Sequence, residues 1–151
     1  MVKKHGLLTN KQLLVLKYRF MNMSFREIAS KLNVSHQDIA LIYKRALENI
    51  EKARETIKIF DILSSKIKII IEENTRLIDI PRIVFDEADR IGIKVRADFT
   101  LLFKLLRFKT RNCIRGNRVV KPIVILINSE GEVNVYPYSE VRDYIRYSFD
   151  P

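Results

Sequence analysis

The sequence predicts an α+β fold: an N-terminal trihelical helix-turn-helix, a long connecting helix, and a small C-terminal α/β domain with a mixed sheet. Two observations carry this reading. From Thr9 to about Phe60 there is no Gly or Pro, and apolar residues return every three or four positions, the period of a helix. From Lys66 onward, runs rich in Ile and Val alternate with amphipathic stretches, so that strand and helix periods take turns. The expected division is 1–63 and 64–151.

The first helix, "TNKQLLVLKYRF", follows Gly6 and opens with Thr9 and Gln12 at the spacing of a capping box. In that motif a hydroxyl accepts an orphan backbone N–H and the residue three places on returns the bond. Its expected buried face is Leu13, Leu16 and Phe20. Ser24 with Glu27 repeats the box, so a second helix begins near Phe25. Ser35 with Asp38 gives a weaker version only eleven places later. The second helix must therefore end by about Leu32 and the chain must turn at Asn33 and Val34. A corner that tight calls for positive φ, which asparagine tolerates better than any residue but glycine. Small Ala29 allows close approach, and Ile28, Leu32, Val34, Ile39 and Ile42 point into a shared core.

This is the helix-turn-helix pattern, in which the helix starting at Ser35 is displayed so that it enters the major groove of double-stranded DNA. The residues that the core leaves over are His36, Gln37, Ala40, Leu41, Tyr43, Lys44 and Arg45. Among them, His36, Gln37, Ala40 and Leu41 are the candidates for reading bases: a glutamine amide matches adenine, a histidine donates to guanine, and a leucine packs on a thymine methyl. Ser35, Lys44, Arg45, Lys11 and Arg26 are candidates for phosphates, which fix register without reading sequence. Packing of the trihelical unit on another protein, as an adaptor to transcription machinery, is the alternative. The arrangement resembles region 4 of bacterial sigma factors and related trihelical DNA-binding domains.

Past Ile42 the apolar stripe continues through Ala46, Ile50, Ala53, Ile57 and Phe60 without a stop signal, so one helix is expected to join the two zones. The stripe is either the seam of a homodimer or a surface that packs on the second zone. A dimer suits DNA, because two-fold proteins read paired half-sites.

The second zone reads as "KIKIII" (strand), "IPRIVFDEADRI" (helix, with Pro81 in its first turn and Gly92 as its stop), "IKVR" (strand), "DFTLLFKLLRF" (helix), "RVVKPIVILI" and "EVNVYP" (strands). Gly116 precedes a strand pattern, the last two strands are joined by the turn "NSEG" with Gly131, and "YSEVRDYIRYSFDP" closes the chain as a short helix. Pro122, within a strand pattern, marks an edge position or a bulge. The stretches "RALENIEKARETI", "IDIPRIVFDEADRIGIKVR" and "IRGNRVVKPIVILINSEGEVNVYP" resemble the archaeal Tfx family of DNA-binding proteins over nearly the whole chain. That resemblance implies a transcriptional regulator with an N-terminal DNA-binding unit; the C-terminal domain is read as serving assembly or ligand sensing.

Charge and composition narrow the function further. The chain has 151 residues, 47% of them apolar, and a net charge of +10, which favours a polyanionic partner. Nine basic against two acidic residues give +7 over 1–45, and ten against one give +9 over 90–121. The second surplus includes Lys104, Arg107, Lys109, Arg111, Arg115 and Arg118. It is read three ways: a surface paired with acidic segments, an extension of the DNA footprint, or a site for an oxyanion effector. Asp79, Asp86, Glu87 and Asp89 share one expected helix region with Arg82 and Arg90, so an ion-paired face explains them and no active site is assigned. Cys113 is the sole cysteine and His5 and His36 stand far apart, so no metal, disulfide or cofactor is expected. No run nears the roughly 18 apolar residues of a membrane helix, and "MVKKHGLLTNKQ" lacks the apolar run of a secretory signal. The expectation is a cytoplasmic, non-enzymatic protein with no membrane partner.

Overall fold

A computed structural model describes residues 4–149 and divides the chain into two compact units, one ending at Ile57 and one beginning at Lys58. In the first, two short antiparallel strands, β1 (Lys4–His5) and β2 (Leu8–Thr9), form a hairpin that the sequence did not lead us to expect. Gly6 turns it with φ 63°. Three helices follow: α1 (Asn10–Phe20), α2 (Phe25–Leu32) and α3 (His36–Ser64). Both full capping boxes form as expected. Thr9 accepts from the Gln12 N–H at 3.2 Å and Gln12 returns the bond at 3.0 Å, while Ser24 and Glu27 do the same at 3.2 and 2.6 Å. The core of this unit is Val15, Ile28, Ala29 and Ile39, with Leu32, Val34, Ile42 and Tyr43 packed against it.

The buried face of α1 differs from expectation. Val15 is fully buried, whereas Leu13 is 41% and Phe20 80% exposed. Leu16 is buried as expected, together with Gln12, which lies on the same turn and accepts from Thr9 and, at 3.4 Å, from the Asn49 amide on α3. Asn49 also donates to the Leu7 carbonyl at 3.1 Å, which ties the first hairpin to α3.

In the second unit β3 (Ile67–Ile71), β6 (Ile123–Ile127) and β7 (Val133–Pro137) form a sheet with β6 in the centre. Ile69 pairs with Ile125 and Ile125 with Val135. Both pairings are antiparallel, so the mixed sheet expected from the alternation of strands and helices is instead purely antiparallel. All five residues of β6 are buried because both its faces are covered. Ile123, Ile125 and Ile127 face a core built with α4 (Ile80–Arg90) and α5 (Phe99–Lys109), through Val84, Ala88, Leu102 and Leu106. Val124 and Leu126 face Ile62 at the end of α3 and Val141 and Ile145 of α6 (Tyr138–Phe149), the helix expected at the chain's end. Asp150 and Pro151, the last two residues of that expected segment, lie outside the described residues.

Two strand expectations need correction. "IKVR" is not a strand in any ladder of the described residues: Ile93 and Val95 pack against the core, the Ile93 N–H bonds the Ala88 carbonyl at 2.9 Å, and the Arg96 N–H bonds the Gly131 carbonyl at 2.8 Å. That bond requires Gly131, where φ is 81° and a Cβ would lie 2.0 Å from the Lys94 carbonyl oxygen. The run "RVVKPIVILI" is split by Pro122 into β5 (Arg118–Val119), hairpinned with β4 (Ile114–Arg115), and central β6. Pro122 thus ends one strand pattern ahead of the next; it occupies neither an edge position nor a bulge. Pro81 sits in the first turn of α4 and Gly92, at φ 74°, ends it, both as expected.

Candidate nucleic-acid interface

The corner between α2 and α3 is built from local hydrogen bonds. Asn33 adopts φ 52° and ψ 50°, the left-handed conformation expected of it, and the Val34 N–H reaches back to the Ala29 carbonyl at 3.1 Å. Ser35 then starts α3. Its hydroxyl accepts the Asp38 N–H at 3.1 Å and donates to the Asp38 carboxylate at 2.7 Å, a one-way cap rather than a reciprocal box. Beneath the corner Ala29 is buried, where a larger side chain would hold the helices apart. Glu27, at the head of α2, has its carboxyl held below the usual range, first by the Ser24 backbone N–H and then by the Ser24 hydroxyl.

The first turns of α3 divide into two faces. Ile39, Ile42, Tyr43 and Ala46, at steps of three and four, are buried or half-buried. Opposite them, Gln37, Ala40, Leu41 and Lys44 follow the same steps: Gln37, Leu41 and Lys44 are exposed and Ala40 is half-buried. His36 and Arg45 flank that face, both exposed, as are Ser35, Lys11 and Arg26.

Tyr43 is not among the leftovers that the sequence suggested. Its ring lies 5.5 Å from that of Phe25, tilted by 58°, and the Arg19 guanidinium stands 4.8 Å from the Phe25 ring and 5.6 Å from Tyr43. Arg19 also donates to the Met23 carbonyl at 2.7 Å, so it braces the loop between α1 and α2 against the start of α3. Sequence reasoning missed this residue. The available signal was an arginine in the last turn of α1 ahead of two aromatics.

In the second unit, Lys104 and Arg107 lie on the exposed side of α5, Lys109 at its end and Arg111 in the following 3-10 turn (Arg111–Cys113). Arg115 and Arg118 face each other across the β4–β5 hairpin. None of these six forms a salt bridge of 4 Å or less among the described residues. The acidic residues pair elsewhere: Asp79 with Arg76 at 2.7 Å, Asp86 with Arg82 at 3.7 Å and Glu87 with Arg90 at 3.2 Å, the solvated ion-paired face expected there. Cys113 is buried, which pushes its thiol up.

Residues 53–135 match the family model described as the C-terminal part of the DNA-binding protein TFX. The chain belongs to the Tfx family. A relative from Methanocaldococcus jannaschii, whose name describes it provisionally as a transcriptional regulatory protein, is 40% identical over 128 residues, 85% of this chain and 93% of the relative. The "DNA-binding protein Tfx" of Methanothermobacter marburgensis is 31% identical over 134 residues, 89% of this chain and 97% of its own length. The protein of the same name from Methanothermobacter thermautotrophicus matches to the same extent. These Tfx relatives are archaeal and are named as DNA-binding or regulatory proteins. No described helix of this Tfx-family chain is long and apolar enough to cross a membrane.

Proposed function

We propose that this Tfx-family chain is a sequence-specific, DNA-binding transcriptional regulator, with no enzymatic activity, that lays the start of α3 in the major groove of double-stranded DNA. The observation that carries this reading is the division of α3. One face, Ile39, Ile42, Tyr43 and Ala46, is turned inward, while on the opposite face Gln37, Leu41 and Lys44 are exposed and Ala40 is half-buried. Gln37 with His36 and Leu41 reads base edges, and half-buried Ala40 allows the helix to lie close to them. Lys44, Arg45, Lys11 and Arg26 neutralise phosphates. Ser35 contributes once its hydroxyl exchanges Asp38 for a phosphate oxygen.

The active form is a homodimer in the cytoplasm. Ile57, Phe60 and Leu63 are exposed at three-residue steps on α3, and Phe60 is 67% exposed. Pairing them with a second copy removes apolar surface from water and generates the two-fold that paired half-sites need. In this arrangement 1–63 read DNA and carry the pairing face of α3, so that of the two roles open to 64–151, assembly or ligand sensing, the second falls to it.

Selection of bound duplexes from a random pool at two salt concentrations tests the reading. A regulator enriches one motif and keeps it above background as salt rises. Weak binding that salt abolishes, with no motif enriched, would instead mark an adaptor to transcription machinery.

A further inference from the structure

The second unit contains a concavity of about 670 Å³, within the roughly 300–1,000 Å³ of small-molecule sites. Its apolar floor is Leu77, Ile78 and Phe103, and its charged lining is Arg76, Arg107 and Arg118. The frame is fixed by backbone bonds. Asn74 donates to Val119 at 2.8 Å, Val119 to Thr75 at 3.0 Å and Leu77 to Asn117 at 2.9 Å, which fastens 74–77 along the β4–β5 hairpin.

Three arginines meet in that frame. Arg118 is paired directly opposite Arg115 in the hairpin and bridges to Arg76 on its other side. Like charges opposite each other in a ladder are destabilising. The compensation comes from one carboxylate: Asp79 takes Arg76 through two hydrogen bonds, at 2.7 and 2.9 Å, while Arg118 donates to the neutral Asn74 carbonyl at 2.6 Å. These bonds aim two guanidinium groups without consuming all their donors, and Arg107 on α5 has no ion-pair partner among the described residues. Beside them Ile78 is 69% exposed, although it belongs to a turn whose backbone is held in place.

We propose that this concavity binds a small organic anion, whose carboxylate or phosphate lies against Arg76, Arg107 and Arg118 and whose flat apolar body covers Leu77, Ile78 and Phe103. An inorganic oxyanion would leave the apolar floor wet, and a neutral hydrocarbon would leave the arginines uncompensated. The guanidinium fork matches both carboxylate and phosphate, so the shared head group is an oxyanion with two coplanar acceptors. The site lies within residues 74–118 and stands apart from the reading of α3, since its test contains no recognition step on DNA.

Calorimetric titration of the full chain with naphthoate, naphthyl phosphate, neutral naphthylmethanol and inorganic phosphate tests this. One or both organic anions should saturate in the millimolar range or tighter, and the alcohol and inorganic phosphate should bind at least tenfold more weakly. Arg107→Ala and Ile78→Asp, both at exposed positions, should each weaken the organic anion at least tenfold while leaving the melting temperature in place. The proposal is overturned if neither organic anion saturates, if the alcohol or inorganic phosphate binds as well, or if both variants bind like the parent. It is also overturned if a mixed-sequence duplex displaces the anion and its salt slope drops in Arg107→Ala, which would make the surface a backbone contact for DNA.

Discussion

The Tyr136 hydroxyl donates to the Asp61 carboxylate at 2.7 Å, joining β7 to the last turn of α3 over 75 residues of sequence. Both groups are half-buried, so neither partner is replaced by water without loss. Tyr136→Phe should cost about 1 kcal/mol in denaturant unfolding, the net worth of a hydrogen bond whose partners are half-buried.

The same pair gives the chain an alkaline limit. Burial first, and then Asp61, hold the Tyr136 phenol well above its ordinary value of 10.0. A raised acid is one whose protonated form the fold prefers. Its contribution is complete below about pH 10 and is lost as pH rises towards the folded value. Melting temperatures recorded by circular dichroism should fall more steeply above pH 10 in the parent than in Tyr136→Phe. A residual fall beginning near pH 9 should persist in both, because burial raises the Cys113 thiol from 9.0 in the same direction.

At the corner of the trihelical unit, the left-handed conformation of Asn33 sets which replacements the fold accepts. Asn33→Gly should change stability little, while Asn33→Val should cost about 1–2 kcal/mol, the penalty of that conformation for a residue with a branched Cβ. Ser24→Ala, which removes a cap, should cost about 1 kcal/mol. Equilibrium urea unfolding measures all three.

On DNA, Gln37→Ala and Lys44→Ala should fail differently. The first should lose about 1–3 kcal/mol of discrimination at one base pair of the selected motif. The second should weaken all duplexes alike and reduce the salt slope by about 1. Fluorescence anisotropy on matched and mismatched duplexes at several salt concentrations separates the two behaviours.

Phe60→Asp should convert a two-chain species to a single chain in sedimentation at micromolar concentration, since it sets like charges opposite each other in the proposed seam. Tyr136→Phe, a change in the interior of the second unit, should leave the sedimentation unchanged.

What could be read from the sequence was what short-range chemistry decides. Thr9 with Gln12, Ser24 with Glu27, Asn33 at the corner and Gly92 after α4 are each fixed by neighbours within five residues, and each stands where its residue type demanded. The face of α1 was harder, because Leu13, Val15, Leu16 and Phe20 offer two overlapping stripes and only the placement of α2 chooses Val15. Tyr43 and Arg19 escaped for a related reason: a tyrosine at a helical step is equally good at the surface or against an aromatic. "IKVR" has the composition of a strand, but it lies against the β6–β7 turn, where the Arg96 N–H bonds to Gly131, and not along a strand of the sheet. The concavity framed by Arg76 and Arg118 depends on backbone pairing over 42 residues, and nothing local announces it.

The bare α-carbon of Gly131 has a further consequence. The β6–β7 turn and the segment after Gly92 interlock there backbone to backbone, with no room between them for even one methyl group. Neither piece is free to drift alone: a lengthened turn would evict the segment, and the segment packs Ile93 and Val95 against the core of this unit. Insertions into this domain should therefore be accommodated at other loops, and this junction should vary, if at all, only as a coordinated exchange of both strands of chain.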